Sequence, residues 1–528
     1  YSHYVRIYIS KGKQQNPMIT LRRVSKKTIK FSSPVLSEIK KVVDCLTFKI
    51  DGAYFSETFR DGFWDGKKRF YKDNTFSIGL LSDVVSHLEK ENTQYRILDY
   101  ELFLEDIRVT EQDLSTGLRP EQIECVIQFY KHQFGIVIMP TRGGKTFFAA
   151  ECIRLAIKHG VGSCMFFVDS TDLFNQTVEE FKKFFGITEQ EIGMISGEAK
   201  TEIKQINIAT IQTVSRVLFP SKFKTIEQRG QKKKIKKDKE ELKRDMQNKF
   251  ALKKKLQEIK FLIIDEVQEY FSKKRLGTIK TLNPKMQLAI SATPFKSENY
   301  IGGLCMKEVV GDVITEIKED SLIQNGSLVE SCVIIILFHH NDEQFDYQTV
   351  IEKKIILNEE RNVLIQKLSE IFLKNGLKTL FSFSRKEHGR ILSKKTGITF
   401  VSGDDDTESR EYIKNEFLSK DGGVLFASNI YNKGISLNNC QVLVNTSSGL
   451  EKSSIIQKRG RVLAKVGDKD MALIVDIFDD TDYLRSHSMN RLEAYESKTK
   501  PENIFILEFD NDFYTKFEDI VDTVFKLK

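Results

Sequence analysis

The sequence is short of the residues that would mark it as a fibre, a membrane span or a disulfide scaffold. Eight prolines in 528 residues are too few for a Pro-rich or collagen-like polymer. The seven cysteines (Cys45, Cys125, Cys152, Cys164, Cys305, Cys332 and Cys440) form no C-x-x-C pair, and their number is odd. That suits free thiols in a reducing cytoplasm better than disulfides or a zinc site. No apolar run approaches the roughly 20 residues that a membrane helix needs. The longest, VIIILF from Val333 to Phe338, is strand-sized, so no membrane partner is expected. The opening YSHYVRIYIS lacks the charged-then-apolar pattern of a secretion signal. It also lacks an initiator Met, so one or more residues are expected to precede it. No nuclease motif and no Ser/His/Asp nucleophile arrangement is found. Excess charge is missing too, except in one place. Residues 221–260 hold 16 Lys+Arg against 6 Asp+Glu, a net of +10. The other 488 residues hold 66 against 68. The overall +8 therefore gives no argument for nucleic acid from global charge.

What is present is a chain of 40% apolar residues, enough for several cores. At roughly 150 residues per domain, the length predicts three or four domains. From about Leu118 to Glu316, short apolar runs alternate with helical stretches. They are GIVIM (Gly135 to Met139), SCMFFV (Ser163 to Val168), INIAT (Ile206 to Thr210), FLIID (Phe261 to Asp265) and MQLAIS (Met286 to Ser291). A second series runs from about Ser321 to Asp480, with KTLFSFS (Lys378 to Ser384), ITFVSG (Ile398 to Gly403), GGVLFAS (Gly422 to Ser428), QVLVNT (Gln441 to Thr446) and MALIVDIF (Met471 to Phe478). Strands spaced by helices predict βαβ units, hence an α/β protein with two parallel-sheet domains in tandem. Residues 1–112 are richer in aromatics and turn signals and predict a small N-terminal α+β or mostly β domain. The expected boundaries are 1–112, 113–316, 317–484 and a C-terminal helical extension, 485–528.

Two segments carry chemistry. GIVIM runs into PTRGGKTFFAAECIRLAI (Pro140 to Ile157), a strand, a glycine-containing loop, then Lys-Thr opening a helix. Backbone N–H groups at a helix N-terminus make an anion site. Gly143 and Gly144 would let the backbone approach phosphate oxygens, Lys145 would reach the β- and γ-phosphates, and the Thr146 hydroxyl would ligate Mg²⁺. Met139 stands where the strict pattern has its first glycine, so a flexible turn with a chance GKT is the alternative for this motif alone. FLIIDEVQEY (Phe261 to Tyr270) is an apolar strand ending in Asp265 and Glu266. It would deliver two carboxylates to the sheet's C-terminal edge. Asp265 would hold Mg²⁺ through water, and Glu266 would orient and deprotonate an attacking water. By itself it could be a solvated acidic turn; paired with the GKT loop it points to one nucleotide site.

Nine segments between Leu118 and Ala464 then stand in the order found in superfamily 2 helicases, which this sequence resembles. LRPEQ (Leu118 to Gln122) is similar to the adenine-recognising segment, PTRGGKT to motif I, DSTDLFNQT (Asp169 to Thr177) to motif Ia, ATIQT (Ala209 to Thr213) to motif Ic, and DEVQ (Asp265 to Gln268) to motif II. SAT (Ser291 to Thr293) is similar to motif III, LFSFS (Leu380 to Ser384) to motif IV, SNIYNKGISL (Ser428 to Leu437) to motif V, and QKRGRVLA (Gln457 to Ala464) to motif VI. DGAYFSETFRDGFWDGKKRFY (Asp51 to Tyr71), SGDDDTESR (Ser402 to Arg410) and IVDIFDD (Ile474 to Asp480) resemble the UvsW-type phage branch of that superfamily.

The resemblance implies two RecA-like domains that use ATP and Mg²⁺. It puts Arg119, Gln122, Thr141, Gly143, Gly144, Lys145, Thr146 and Gly434 at the nucleotide, and Thr146 and Asp265 at the metal. It makes Lys145, Asp265, Glu266, Gln268, Gln457 and Arg461 catalytic, with Arg461 as an arginine finger. It makes Ser291 and Thr293 the coupling residues; helix capping is their alternative role. Thr171, Thr210, Gln212, Arg385 and Lys433 would grip a DNA backbone without reading bases; a solvated surface position is the alternative for each. Three positions depart from the family pattern. Ala464 replaces the last arginine of motif VI, so that either Arg461 suffices, or a neighbour such as Arg459 or Lys465 compensates, or the chain is an impaired variant. Gln268 stands where His is commoner, and Ser436 where many relatives place an Asp on the ribose.

Arg60 and Trp64, the sole tryptophan, are candidates for a stacking wedge at a DNA junction, with Trp64 as the centre of a small β-domain core as the alternative. In the basic segment, apolar residues at 242, 246, 250, 252 and 256 predict a helix with one apolar stripe. That helix would either hold DNA arms by phosphate neutralisation or be a solvated excursion. The implied function is an ATP-dependent DNA helicase or translocase that unwinds or branch-migrates forked and junction DNA in phage recombination and replication, in the host cytoplasm. An RNA helicase of the same superfamily, or a DNA-binding motor subunit without strand separation, are the alternatives. No protein partner can be read.

Overall fold

A computed structural model describes residues 5–9, 18–100, 105–197, 199–200, 202–221, 223–228, 231–295, 300–341, 346–428, 439–449 and 452–527. Motif V therefore lies mostly outside the described residues, and with it Lys433, Gly434 and Ser436. The chain forms two compact units, residues 1–139 with 144–317, and residues 140–143 with 318–528.

The first unit is built on an eight-stranded sheet. Its order is Ala199–Lys200, Ile192–Ser196, Ile206–Thr210, Ser163–Val168, Ile259–Asp265, Met286–Ser291, Phe134–Ile138 and Val313–Glu316. Every neighbouring pair is parallel except the first. The inner strands read as unbroken apolar runs because helices cover both faces, and all six residues of Met286–Ser291 are buried. Sequence periodicity missed the strands at 192–196, 199–200 and 313–316, which are short or half-polar.

A mixed six-stranded sheet with helices Leu36–Cys45 and Leu81–Lys90 forms the N-terminal part of the same unit. Ile19, Leu21, Ile29, Phe31, Val42 and Phe76 are central to its core, and Leu304 joins them from helix Tyr300–Val310. Trp64 is absent from that core and only half-buried. Gly79 lies so close to that helix that a Cβ there would sit 2.0 Å from the Lys307 carbonyl oxygen. Ser77 donates to the Glu308 carbonyl at 2.8 Å, and Lys307 pairs with Asp83 at 2.9 Å.

The second unit has a seven-stranded, all-parallel sheet in the order Phe400–Val401, Val424–Ser428, Thr379–Phe383, Val442–Asn445, Met471–Asp480, Glu330–His339 and Ile504–Glu508. Glu330–His339 pairs with Met471–Asp480 over ten residues. The chain after 485 is not wholly helical. Ile504–Glu508 closes the sheet's edge, and helix Phe513–Phe525 buries Phe513, Phe517 and Val521 in the core.

The basic segment folds as a hairpin, Phe223–Gln228 against Gln231–Lys236, then helix Lys239–Leu256. Asp238 caps the helix by accepting from the Glu241 N–H at 2.8 Å. The expected stripe is only half used. Leu252 and Leu256 are buried in the unit's main core, whereas Met246 is 59% exposed and Phe250 77%.

Candidate functional site

Strand Phe134–Ile138 ends at the loop 140–144, and helix Lys145–Lys158 starts from Gly144. Gly144 has φ 79°, a left-handed position that favours glycine. A Cβ there would also meet the Gln122 amide at 2.4 Å. Gln122 is buried, and both ends of its amide are engaged. Its oxygen accepts from the Arg119 N–H at 2.9 Å, and its nitrogen donates to the Gly144 carbonyl at 3.3 Å. Gln122 thus ties the start of helix Pro120–His132 to the glycine loop.

Two strands away, Ile259–Asp265 brings Asp265 and Glu266 to the same sheet edge. Glu266 sits at φ 48°, an uncommon backbone for a residue with a side chain, which turns it off the strand axis. Its Oε1 pairs with Lys145 Nζ at 2.7 Å. Its Oε2 accepts from Gln268 Nε2 at 2.8 Å. Gln268 Oε1 accepts from the Ser291 hydroxyl, and Ser291 Oγ accepts from the Thr293 N–H at 2.9 Å. Lys145, Glu266, Gln268, Ser291 and Thr293 are therefore one continuous chain of hydrogen bonds across three adjacent segments. Burial and the neighbouring Glu266 push the Asp265 carboxyl well up, to about 7, and Lys145 opposes this. Two carboxylates beside one ammonium leave negative charge in a partly desolvated place, which is what a divalent cation would neutralise. Together with the Thr146 hydroxyl on the facing helix, these residues fit a magnesium site.

A second cluster joins the segments resembling motifs Ia and Ic to helix Lys273–Leu282. Gln212 Nε2 donates to the Asp169 carbonyl and, at 2.8 Å, to Asp169 Oδ1. Arg275 pairs with that same oxygen at 2.9 Å. Arg275 carries no sequence motif; only the fold brings it to Asp169. Thr171 is exposed in the first turn of helix Thr171–Phe185. Thr210 is buried, and its hydroxyl is spent on Thr213 at 2.8 Å.

In the second unit, Arg385 is exposed at the start of helix Lys386–Thr396. Helix Lys452–Val462 carries Gln457 and Arg461, both partly exposed. Arg459 is different. It is 2% exposed, pairs with Glu319 at 2.7 Å and donates to Ser331 Oγ and the Lys498 carbonyl. Lys465 pairs with Asp470 at 2.9 Å on the surface. Ala464 forms an isolated antiparallel bridge with Leu328.

This fold and these motifs define a class: the chain belongs to the superfamily 2 helicases, ATP-dependent motors. Residues 115–296 match the family model described as type III restriction enzyme, res subunit, and residues 362–464 match that of the helicase conserved C-terminal domain. Among individual proteins, the chain is 22% identical over 507 residues to the ATP-dependent DNA helicase UvsW of enterobacteria phage T4, covering 87% of this chain and 93% of that one. Over 99 residues it is 36% identical to the DNA 3'-5' helicase XPB of Kineococcus radiotolerans, covering 19% and 17%. Among solved structures, the ATP-dependent type ISP restriction-modification enzyme LlaBIII shares the fold at a TM-score of 0.54 and 13% identity, over 78% of this chain and 33% of that one. Among the described residues, no helix is long and apolar enough to cross a membrane, and all seven cysteines are free thiols.

Proposed function

We propose that the chain is an ATP-driven DNA helicase that unwinds or branch-migrates forked and junction DNA in phage recombination and replication. The observation that carries this reading is the hydrogen-bond chain from Lys145 through Glu266 and Gln268 to Ser291. It links the phosphate loop to the segment that a helicase uses to turn hydrolysis into movement. The DNA assignment draws on the names of the UvsW and XPB relatives. Residues 1–112 are taken as the accessory DNA-binding part, 113–316 and 317–484 as the two motor domains, and 485–528 as the C-terminal extension.

Lys145, Gly143 and Gly144 hold the phosphates, with Thr141, Arg119 and Gln122 beside the nucleotide. Thr146 and Asp265 would hold magnesium, which when bound would supply positive charge at the phosphates. Phosphate oxygens compete with Glu266 for the Lys145 ammonium. Once Lys145 turns to phosphate, Glu266 is released to orient a water and accept its proton, and its altered charge reaches Ser291 through Gln268. Gln457 and Arg461 are taken as catalytic donors. Thr171, Arg385 and Lys433 grip the sugar-phosphate backbone, with Thr210 acting through its main chain and Gln212 by holding Asp169.

The test is ATP turnover and strand separation on forks, four-way junctions, plain duplexes and structured RNA, with each strand polarity tried. Forked DNA should stimulate turnover and be unwound. Stimulation by RNA alone would replace DNA by RNA, and turnover without strand separation would make the chain a motor subunit. Glu266→Gln should lower turnover by about a hundredfold to ten-thousandfold, the usual worth of a positioned general base, with nucleotide binding retained. Gln268→Ala should lower unwinding more than turnover.

A further inference from the structure

The turn that follows strand Ile259–Asp265 is held on two flanks. Its side chains lead through Gln268 to Ser291. Its main chain leads the other way. Glu269 N–H donates to the Glu266 carbonyl at 2.9 Å, which closes the turn on the residue taken as general base. The Glu269 carbonyl accepts from Arg275 Nη1. Arg275 stands in the first turn of helix Lys273–Leu282, where its own N–H donates to the capping Ser272 hydroxyl at 3.4 Å. Its guanidinium lies over the Tyr270 ring, 5.9 Å from the centroid.

From there the contact crosses to the next strand. The same Nη1 pairs with Asp169 Oδ1 at 2.9 Å. Asp169 directly follows strand Ser163–Val168 and is buried. After it, Ser170 caps helix Thr171–Phe185 by accepting from the Leu173 N–H at 3.2 Å. Gln212, in the first turn of helix Ile211–Leu218, holds both the carbonyl and the carboxylate of Asp169. Strands Ile206–Thr210, Ser163–Val168 and Ile259–Asp265 are neighbours in the sheet. One carboxylate and one guanidinium therefore join their three C-terminal ends.

A partly buried ion pair adds little net stability over an apolar contact of the same volume. What it adds is direction. The two N–H bonds of Nη1 are fixed in the guanidinium plane, so they set the placing of the Glu269 carbonyl against Asp169. A shift of the Glu266 turn is thereby passed to Asp169 and to the capped start of the helix that carries Thr171.

We propose that Arg275 is a positioning residue that couples the nucleotide site to the DNA-gripping segments, by holding the Glu269 carbonyl and Asp169 in one geometry. It acts through Glu266 on one side and Thr171 on the other. This rests on the DNA reading above.

The experiment uses the full chain, with turnover read at saturating ATP and well below each variant's melting temperature. Basal turnover is measured without DNA and stimulated turnover with saturating forked DNA. Arg275→Ala should keep basal turnover and lose stimulation by about fivefold or more, the low end of ordinary coupling between two sites. Coupling is mutual for binding, so the change that a non-hydrolysable ATP analogue makes in fork affinity should shrink as well. Arg275→Lys keeps a cation beside Asp169 but not the fixed planar N–H pair. It should hold its melting temperature and still lose most of the stimulation. Asp169→Ala should lose stimulation to the same degree, and the double variant Asp169→Ala/Arg275→Ala no more than either alone. Full stimulation in either Arg275 variant overturns the proposal. So does an equal fall in basal and stimulated turnover, which would make Arg275 a support of the fold only. If no DNA stimulates the unaltered chain, the DNA reading falls and the coupling falls with it.

Discussion

Three arginines of the second unit, Arg361, Arg459 and Arg491, are almost fully buried, and each faces a carboxylate: Asp479 at 2.8 Å, Glu319 at 2.7 Å and Asp476 at 3.0 Å. Breaking such a pair strands a buried charge and typically costs about 3–5 kcal/mol. Arg459→Ala should therefore lower the melting temperature markedly. Arg461→Ala, two positions on and partly exposed, should leave the melting temperature near its original value and cut turnover on the order of a thousandfold, as loss of an arginine finger does. Unchanged turnover in Arg461→Ala would remove that assignment. His388, close to Arg361 and Asp479, gives a pH signature. Burial, aided by Arg361 and opposed by Asp479, lowers its pKa to about 3, and its Nε2 donates to Asn362 Oδ1 at 2.8 Å. In the unfolded chain the imidazole takes up a proton near pH 6.5, so between those values the unfolded state binds more protons. The stabilisation is complete above about pH 6.5 and is lost as pH falls toward 3. Denaturant midpoints measured from pH 7.5 to 4.5 should fall less steeply in His388→Gln. Asp265, Glu266 and Lys145 could be read from their motifs. The chain that connects them through Gln268 to Ser291 could not, because a hydrogen-bond partner is fixed by strand order rather than by spacing.

At the scale of elements, helix Lys239–Leu256 shows how far apolar spacing reaches. Five apolar positions marked a stripe, but the helix meets the core only near its end, through Leu252 and Leu256. Leu256→Ala should cost about 2–5 kcal/mol, as buried leucines do, and Phe250→Ala should be close to neutral in the same chemical denaturation series. Lys243, Arg244, Lys253 and Lys254 stay exposed on this helix. If the helix holds DNA arms, changing all four to alanine should reduce the salt dependence of fork binding by up to about 3–4 in slope, with the core untouched. An unchanged slope would leave the helix a solvated excursion. The strand Ile504–Glu508 carries an apolar run, IFIL, inside a segment that reads as a helical extension; it holds the sheet's edge by pairing with Glu330–His339 alone, and none of its residues is buried.

Across the whole molecule, the N-terminal sheet and the first motor sheet belong to one compact unit. Leu304 lies in the N-terminal core, and Phe48 packs edge-on against Tyr300 at 5.7 Å. Gly79→Ala would drive a methyl into the Lys307 carbonyl and should cost about 1–3 kcal/mol, as overpacking does. Removing residues 1–112 should expose Leu304, which is 3% exposed in the intact chain, lowering the melting temperature of the remainder and raising its binding of an apolar dye.

Sequence alone determined the alternation of strands and helices, the two α/β halves and the order of the motifs. Those follow from local apolar runs and from residues whose chemistry is bound to a short loop or a strand end. Tertiary structure decided which of two arginines on one helix is buried, that Gln122 braces the glycine loop, and that Trp64 is half-buried while Phe55 and Phe63 face water. Such choices depend on what lies opposite a side chain, and spacing does not reveal it whether the neighbour is 22 residues away, as for Gln122, or 140, as for Arg459.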